Sequence, residues 1–173
     1  VECGIDSMKC TIVRDEGVYK TPYEKKKKIL QAYDWLTSEI KKNIKLKKIR
    51  NYNISSIQGR VHQKKDILSW EMIKKMYMHP KYISPCHAGS LFGIITSNGK
   101  VYPCEILEDK LLGNLRDNEM NFMKIWNDKN TKNTRDYILK SKCNCTYECA
   151  LSYNILGNWR YQASLASSMF NLD

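Results

Sequence analysis

Apolar residues recur at steps of three and four between residues 21 and 48, which is the period of an amphipathic helix. The residues of this apolar face are Ile29, Tyr33, Leu36, Ile40 and Ile44. The helix is predicted to begin at a Thr21 cap, with Pro22 at its first position and Glu24 closing a capping box. We expect it to run to about Lys48.

Weaker patterns flank this helix. Met8–Val13 is predicted to form a short strand. Residues 51–65 lack a clear period and contain Gly59, so a loop is expected there. Ser69 can cap a second helix that runs through Met78, because Pro80 would end it.

The second half of the chain carries a hairpin signal. Two strand-like runs, Leu91–Thr96 and Lys100–Pro103, are separated by Ser97-Asn98-Gly99, and Asn-Gly between such runs is typical of a tight β-hairpin. Helices are predicted at about 119–126 and 131–139. The fold class predicted is therefore α+β, with a long amphipathic helix followed by a hairpin and short helices.

Five of the seven cysteines gather in this second half, around predicted turns: Cys86, Cys104, Cys143, Cys145 and Cys149. An odd total, in a chain without a visible secretion signal, favours metal or redox chemistry over a disulfide framework. The hairpin is expected to bring Cys86 and Cys104 to the same end of the ribbon. Cys3 and Cys10 stand apart and are interpreted as thiols outside the site.

Four thiolates can hold either a 4Fe-4S cluster or a structural zinc ion. Paired Cys-x2-Cys knuckles, which are usual in zinc sites, do not occur in this sequence. The spacing favours iron-sulfur over zinc only slightly, and cysteines that bind nothing remain a third interpretation. His62, His79 and His87 have no carboxylate partner recognisable from the sequence, so they are interpreted as ordinary histidines and no catalytic residue is assigned.

The net charge of +11 is concentrated in residues 1–80, which hold 18 Lys/Arg against 9 Asp/Glu. These lysines fall within the amphipathic helix pattern, so a solvated helix face explains them and nucleic acid is not expected as a partner. The alternative function is a zinc-stabilised basic module that contacts nucleic acid. No apolar run approaches the roughly 20 residues of a membrane span, and a cytoplasmic location without a membrane partner is expected.

Three segments together resemble the auxiliary-cluster extension of radical S-adenosylmethionine enzymes, the SPASM or twitch domain. They are PCHAGSLFGIITSNGKVYPCEIL (85–107), LGNLRDNEMNFMKIWND (112–128) and CNCTYECALSYNIL (143–156). The family's opening pattern of a cysteine, a glycine and a cysteine five residues further on is matched by Cys86, Gly99 and Cys104. Its Gly-Asn pair, its tryptophan and its closing Cys-x3-Cys are also present: Gly113, Asn114, Trp126, Cys145 and Cys149.

The resemblance implies one auxiliary 4Fe-4S cluster, because several cysteines of a full two-cluster SPASM domain are missing. Its ligands would be Cys86, Cys104 and Cys149, with the fourth from Cys143 or Cys145. The Cys-x3-Cys-x2-Cys motif of the catalytic cluster is absent, so S-adenosylmethionine would be used only through a catalytic domain outside this chain. Residues 1–80 would follow that domain as a helical linker, and 81–173 would form the iron-sulfur domain. The parent enzyme is expected to modify a peptide, a protein or a small molecule.

Overall fold

The computed structural model describes residues 5–13 and 20–170. Within these residues there are six α-helices and three short strands. The helices are α1 (Tyr23–Lys45), α2 (Ile57–Met78), α3 (Phe122–Trp126), α4 (Lys129–Lys140), α5 (Glu148–Gly157) and α6 (Trp159–Met169). The strands are β1 (Ile94–Ile95), β2 (Lys100–Tyr102) and β3 (Gly113–Asn114). Helices beside a separate antiparallel sheet confirm the predicted α+β class.

The chain folds as two compact units. The helical unit comprises Val1–Ile83 and Cys145–Asp173, and the hairpin unit comprises Ser84–Asn144. In the described part of both units, no helix combines the length and apolar character needed to cross a membrane.

Helix α1 buries the face that its periodicity predicts. Tyr33, Ile40 and Ile44 are buried, and Ile29 and Leu36 pack at the edge of the same core. The N-cap residue is Pro22 rather than Thr21, and it makes no side-chain cap hydrogen bond. The helix ends at Lys45 because Lys47 takes a left-handed conformation, with φ of 56°.

Helix α2 begins at Ile57, so the loop predicted over 51–65 is wrong from Ile57 onward. The helix start predicted at Ser69 is also wrong, because Ser69 is buried inside α2. Ser56 caps the helix by accepting a hydrogen bond from the Gly59 amide at 3.0 Å. Gly59 does not interrupt the helix. Its missing side chain allows the Asn53 carbonyl group to lie against the helix backbone, since a Cβ at Gly59 would be 2.1 Å from the Asn53 carbonyl oxygen. The predicted end of this helix at Met78, two residues before Pro80, is confirmed.

The strand predicted over Met8–Val13 is wrong, because these residues form neither strand nor helix. Tyrosine hydroxyls from the helical unit contact this extended segment instead. The Tyr33 hydroxyl donates to the Cys10 carbonyl at 3.3 Å, and the Tyr52 hydroxyl lies 3.1 Å from the Met8 carbonyl oxygen. The segment is thus held by side chains rather than by a sheet.

Helices α5 and α6 both pack against α2 in the helical unit. The core there includes Trp70 and Ile73 from α2, Leu151 and Ile155 from α5, and Leu165 from α6. Burial of these large side chains is the main stabilising contribution of the unit. It also fixes the position of α5, whose first turn contains Cys149.

The hairpin unit is built on the sheet β1-β2-β3, in which both pairings are antiparallel. The register pairs Ile94 with Tyr102, as the predicted hairpin requires. Gly99 has φ of +86° in the connecting turn, a conformation that side chains other than glycine rarely adopt. Val101 and Ile125 form the centre of a core on which Trp126 packs.

We expect Gly59→Ala to destabilise the protein, although alanine favours a helix interior by about 1 kcal/mol over glycine. The added Cβ would collide with the Asn53 carbonyl group, and overpacking of this kind costs about 1–3 kcal/mol. Urea unfolding of the full chain measures the effect, with Gln58→Ala at the exposed neighbouring position as the control. Equal or greater stability of Gly59→Ala would contradict the close approach.

Candidate metal centre

Three of the five predicted site cysteines share one apolar cluster in the hairpin unit. Cys86 and Cys104 are 6% and 7% exposed, and they pack with Ala88 and Ile138. The partly buried Cys143 packs against the same cluster. The structure therefore brings these three thiols into one neighbourhood.

The antiparallel hairpin explains how Cys86 and Cys104 meet. Cys86 precedes β1 and Cys104 follows β2. Because the two strands are antiparallel, both cysteines lie at the same end of the hairpin. The third thiol, that of Cys143, follows the C-terminus of α4. Lys142 is left-handed, with φ of 51°, and the Cys143 amide then donates to the Ile138 carbonyl at 3.1 Å.

The environment of Cys104 suits a metal-bound sulfur atom. Burial raises the pKa of this thiol, and the nearby Cys86 sulfur raises it further, whereas the backbone N–H groups of Leu107 and Ile106 lower it. Without a cation the thiol therefore stays protonated at neutral pH, and a metal ion would favour the thiolate. Backbone N–H donors to ligand sulfur atoms are one of the factors that set cluster potentials.

Arg135 holds the loop that follows Cys86. Its Nε donates to the Gly89 carbonyl at 2.5 Å, and its Nη2 donates to the Trp126 carbonyl at 2.8 Å. The guanidinium carbon also lies 5.1 Å from the centroid of the Trp126 ring. Because Arg135 is on α4, it connects the Cys86 loop with the helix that leads to Cys143.

The remaining two predicted ligands, Cys145 and Cys149, belong to the helical unit. Cys145 is partly buried just before α5, and Cys149 is exposed in the first turn of that helix. Cys10 lies in the core of the helical unit, where burial raises its pKa, and Cys3 is outside the described residues.

The residues 5–13 and 20–170 contain no group of three or more His, Cys, Asp or Glu side chains spaced to hold a metal ion. The chemistry of the donor set nevertheless fits an iron-sulfur cluster. Cys86, Cys104 and Cys143 present sulfur atoms within one largely apolar cluster, and thiolates are the usual ligands of such clusters.

Sequence reasoning missed two side-chain pairs in the helical unit. His62 Nε2 lies 3.4 Å from Asp66 Oδ2 one helical turn later, so the statement that this histidine lacks a carboxylate partner is wrong. The i,i+4 spacing would have indicated the pair if 57–68 had been recognised as helix. Lys9 forms an ion pair with Glu148 at 3.1 Å, which no local sequence pattern indicates.

Buried and partly buried thiols that three segments bring into one apolar cluster are characteristic of a thiolate metal-binding domain. Residues 82–150 match the family model of the SPASM iron-sulfur cluster-binding domain. This part of the chain is therefore a SPASM-type iron-sulfur cluster-binding domain, which confirms the resemblance seen in its motifs. No curated protein and no solved structure matches the chain.

We expect Arg135→Met to loosen the Cys86 loop, because the Gly89 and Trp126 carbonyl groups lose a charged donor. Hydrogen bonds to charged groups contribute about 1.5–3 kcal/mol each, and Arg135 is only partly buried, so a loss of about 1–3 kcal/mol in unfolding free energy is expected. Hydrogen exchange at Gly89 and Ser90 should also become faster.

The matched control is Arg160→Met, since Arg160 also stacks on a tryptophan, with its guanidinium carbon 5.9 Å from the Trp159 ring centroid. Urea unfolding and amide exchange are measured on both variants of the full chain. Equal behaviour of the two variants would show that Arg135 does not hold the loop.

Proposed function

We propose that this chain binds one auxiliary 4Fe-4S cluster and is the C-terminal part of a radical S-adenosylmethionine enzyme. The observation that carries the proposal is the shared cluster of Cys86, Cys104 and Cys143 inside the stretch matched by the SPASM family model. SPASM-type domains generally accompany a radical S-adenosylmethionine catalytic domain, which supports this parentage. The presence of an iron-sulfur binding domain favours this function over a zinc-stabilised nucleic-acid module.

The proposed ligands are Cys86, Cys104, Cys143 and Cys149. Packing in one cluster supports the first three, and the family's closing Cys-x3-Cys pattern supports Cys149. Cys145 is the alternative to Cys143 as the fourth ligand. The packing of Cys143 against the cluster of Cys86 and Cys104 is the reason to prefer it.

When bound, the cluster supplies one-electron redox chemistry or an iron site that orients a substrate. The chain's own residues would hold it in a largely apolar environment, since Ala88 and Ile138 beside the cysteines are each 1% exposed. Exclusion of water by such a shell strengthens the hydrogen bonds from backbone N–H groups to sulfur and influences the cluster potential. Cluster binding should also stabilise the folded hairpin unit.

The remaining parts of the proposal concern the whole enzyme. S-adenosylmethionine would bind only to the catalytic domain, and residues 1–80 would link that domain to the iron-sulfur domain of 81–173. A peptide, a protein or a small molecule would be the substrate, and the enzyme would act in the cytoplasm. The motifs quoted above support these statements through the family that they resemble.

Anaerobic reconstitution of the full chain tests the central proposal. We expect about four irons and four acid-labile sulfides per chain, as one 4Fe-4S cluster requires. Cys104→Ser should remove most of this iron, because Cys104 is a proposed ligand that is buried within the cysteine cluster.

Cys10→Ala is the matched control, since Cys10 is similarly buried, at 8% exposure, but lies in the helical core. It should retain the iron and sulfide of the unmodified chain. A colourless protein with one zinc ion and no acid-labile sulfide would contradict the proposal and favour the zinc-stabilised module.

The fourth ligand is tested by comparing Cys143→Ser with Cys145→Ser. We expect Cys143→Ser to lose most of the iron and Cys145→Ser to retain it, because Cys143 packs against the other thiols of the hairpin unit. Iron content and the visible charge-transfer absorption measure the difference. The opposite result would assign Cys145 as the ligand.

A further inference from the structure

The segment Met8–Val13 has the burial pattern of a β-strand. Cys10 and Ile12 are buried in the core of the helical unit, whereas Thr11 and Val13 are exposed. Alternation with a period of two is what an extended chain shows when one of its faces covers a core. The segment nevertheless forms no strand, because no other strand pairs with it among the described residues.

One edge of this segment is covered by tyrosine hydroxyls. In an extended chain, the backbone groups of alternate residues lie along opposite edges. The Tyr33 hydroxyl donates to the Cys10 carbonyl at 3.3 Å, and the Tyr52 hydroxyl lies 3.1 Å from the Met8 carbonyl oxygen. The carbonyl groups of Met8 and Cys10 are two residues apart, so both contacts are made at the same edge.

The opposite edge of the segment is open. It carries the backbone N–H and C=O groups of Lys9, Thr11 and Val13, which have no hydrogen-bond partner within residues 5–13 and 20–170. A row of unpaired backbone donors and acceptors is a template for the addition of another strand. The chemistry of this edge therefore fits an extended polypeptide.

Helix α1 packs against the segment that precedes it. Ile12 of the segment and Tyr33 and Ile40 of α1 belong to one core cluster. A strand followed by a helix that packs against it is the first half of a β-α-β unit, in which the strand pairs in parallel with a neighbour. Because parallel sheets are covered on both faces, this arrangement favours a strand of a folded domain over a free peptide.

Apolar surface beside the segment also lacks a cover. A largely apolar cavity of about 350 Å³ is lined by Ile12 and Val13 of the segment and by Ile29 and Leu36 of α1. Val13 itself is 65% exposed. A domain that adds a strand at the open edge would bring side chains to this surface, and burial of apolar area favours such an association.

We propose that Met8–Val13 pairs along its open edge with a strand of the catalytic domain. The proposal rests on the proposed function, in which residues 1–80 connect that domain to the iron-sulfur domain. Met8–Val13 is then part of a sheet shared by two domains rather than a free linker. Backbone hydrogen bonds would fix the helical unit to the catalytic domain.

The test compares amide hydrogen exchange in the 173-residue chain and in the parent enzyme, which includes the catalytic domain. We expect the amides of Lys9, Thr11 and Val13 to exchange at least about tenfold more slowly in the parent enzyme, because each would donate to a carbonyl of the added strand. The Gly99 amide, which donates to the Thr96 carbonyl in the β1–β2 turn, is the internal control and should exchange equally in both proteins.

Two variants separate the backbone from the side chain. Thr11→Pro removes one N–H group from the open edge, whereas Thr11→Val keeps it. In the parent enzyme, Thr11→Pro should lose the slow exchange at Lys9 and Val13, and Thr11→Val should retain it. In the 173-residue chain, both variants should unfold at similar urea concentrations, because the Thr11 N–H group has no partner there.

Two results would overturn the inference alone. In one, the three amides exchange equally fast in the parent enzyme and in the 173-residue chain; this comparison uses the unmodified proteins and holds even if Thr11→Pro fails to fold. In the other, the 173-residue chain itself protects these amides as its concentration rises, because a second copy then occupies the edge. A parent protein without a Cys-x3-Cys-x2-Cys catalytic domain would instead refute the proposed parentage, and the inference with it.

Discussion

The antiparallel pairing of β1 with β2 is the constraint on which the cysteine cluster depends. It returns the chain after Gly99, so that Cys86 and Cys104 lie in one largely apolar cluster although 17 residues separate them in the sequence. Such an environment disfavours thiolates unless a cation is present, as the raised pKa of Cys104 indicates. The hairpin thus provides buried thiols that would ionise when they bind a metal. We therefore expect metal binding and folding of this unit to be coupled.

In the helical unit, α2 has the corresponding organising role. Its Asp66 is fully buried and accepts a hydrogen bond from the Tyr52 hydroxyl at 2.5 Å, while Lys65 Nζ lies 2.7 Å from the other carboxylate oxygen. A buried carboxylate with these partners restricts the packing around it, because any shift would leave a charge without compensation. The contacts of α2 with α5 then determine where the first turn of α5, and with it Cys149, is placed.

Local sequence signals predicted the elements that depend on local chemistry. The periodicity of α1 and the Asn98-Gly99 turn identified the long helix and the hairpin, and the motifs identified the SPASM-type domain. The start of α2 was missed because Gly59 was interpreted as a helix breaker, whereas its missing side chain accommodates the Asn53 carbonyl. The extended segment at Met8 and the Lys9–Glu148 pair depend on contacts between distant parts of the chain, for which a single sequence contains no local signal.

The net charge of +11 is unevenly distributed along the chain. Most of the excess lies in residues 1–80, where lysines such as Lys27 and Lys28 are exposed on α1. Physiological salt screens exposed charges over about 8 Å, so these lysines provide a general positive field rather than a fixed local charge. The Lys9 ammonium is also exposed, but it lies 3.1 Å from the largely buried Glu148 carboxylate and so keeps a defined position. The Lys9–Glu148 pair therefore joins the N-terminal segment to the first turn of α5, whereas the exposed lysines of α1 form a general basic surface.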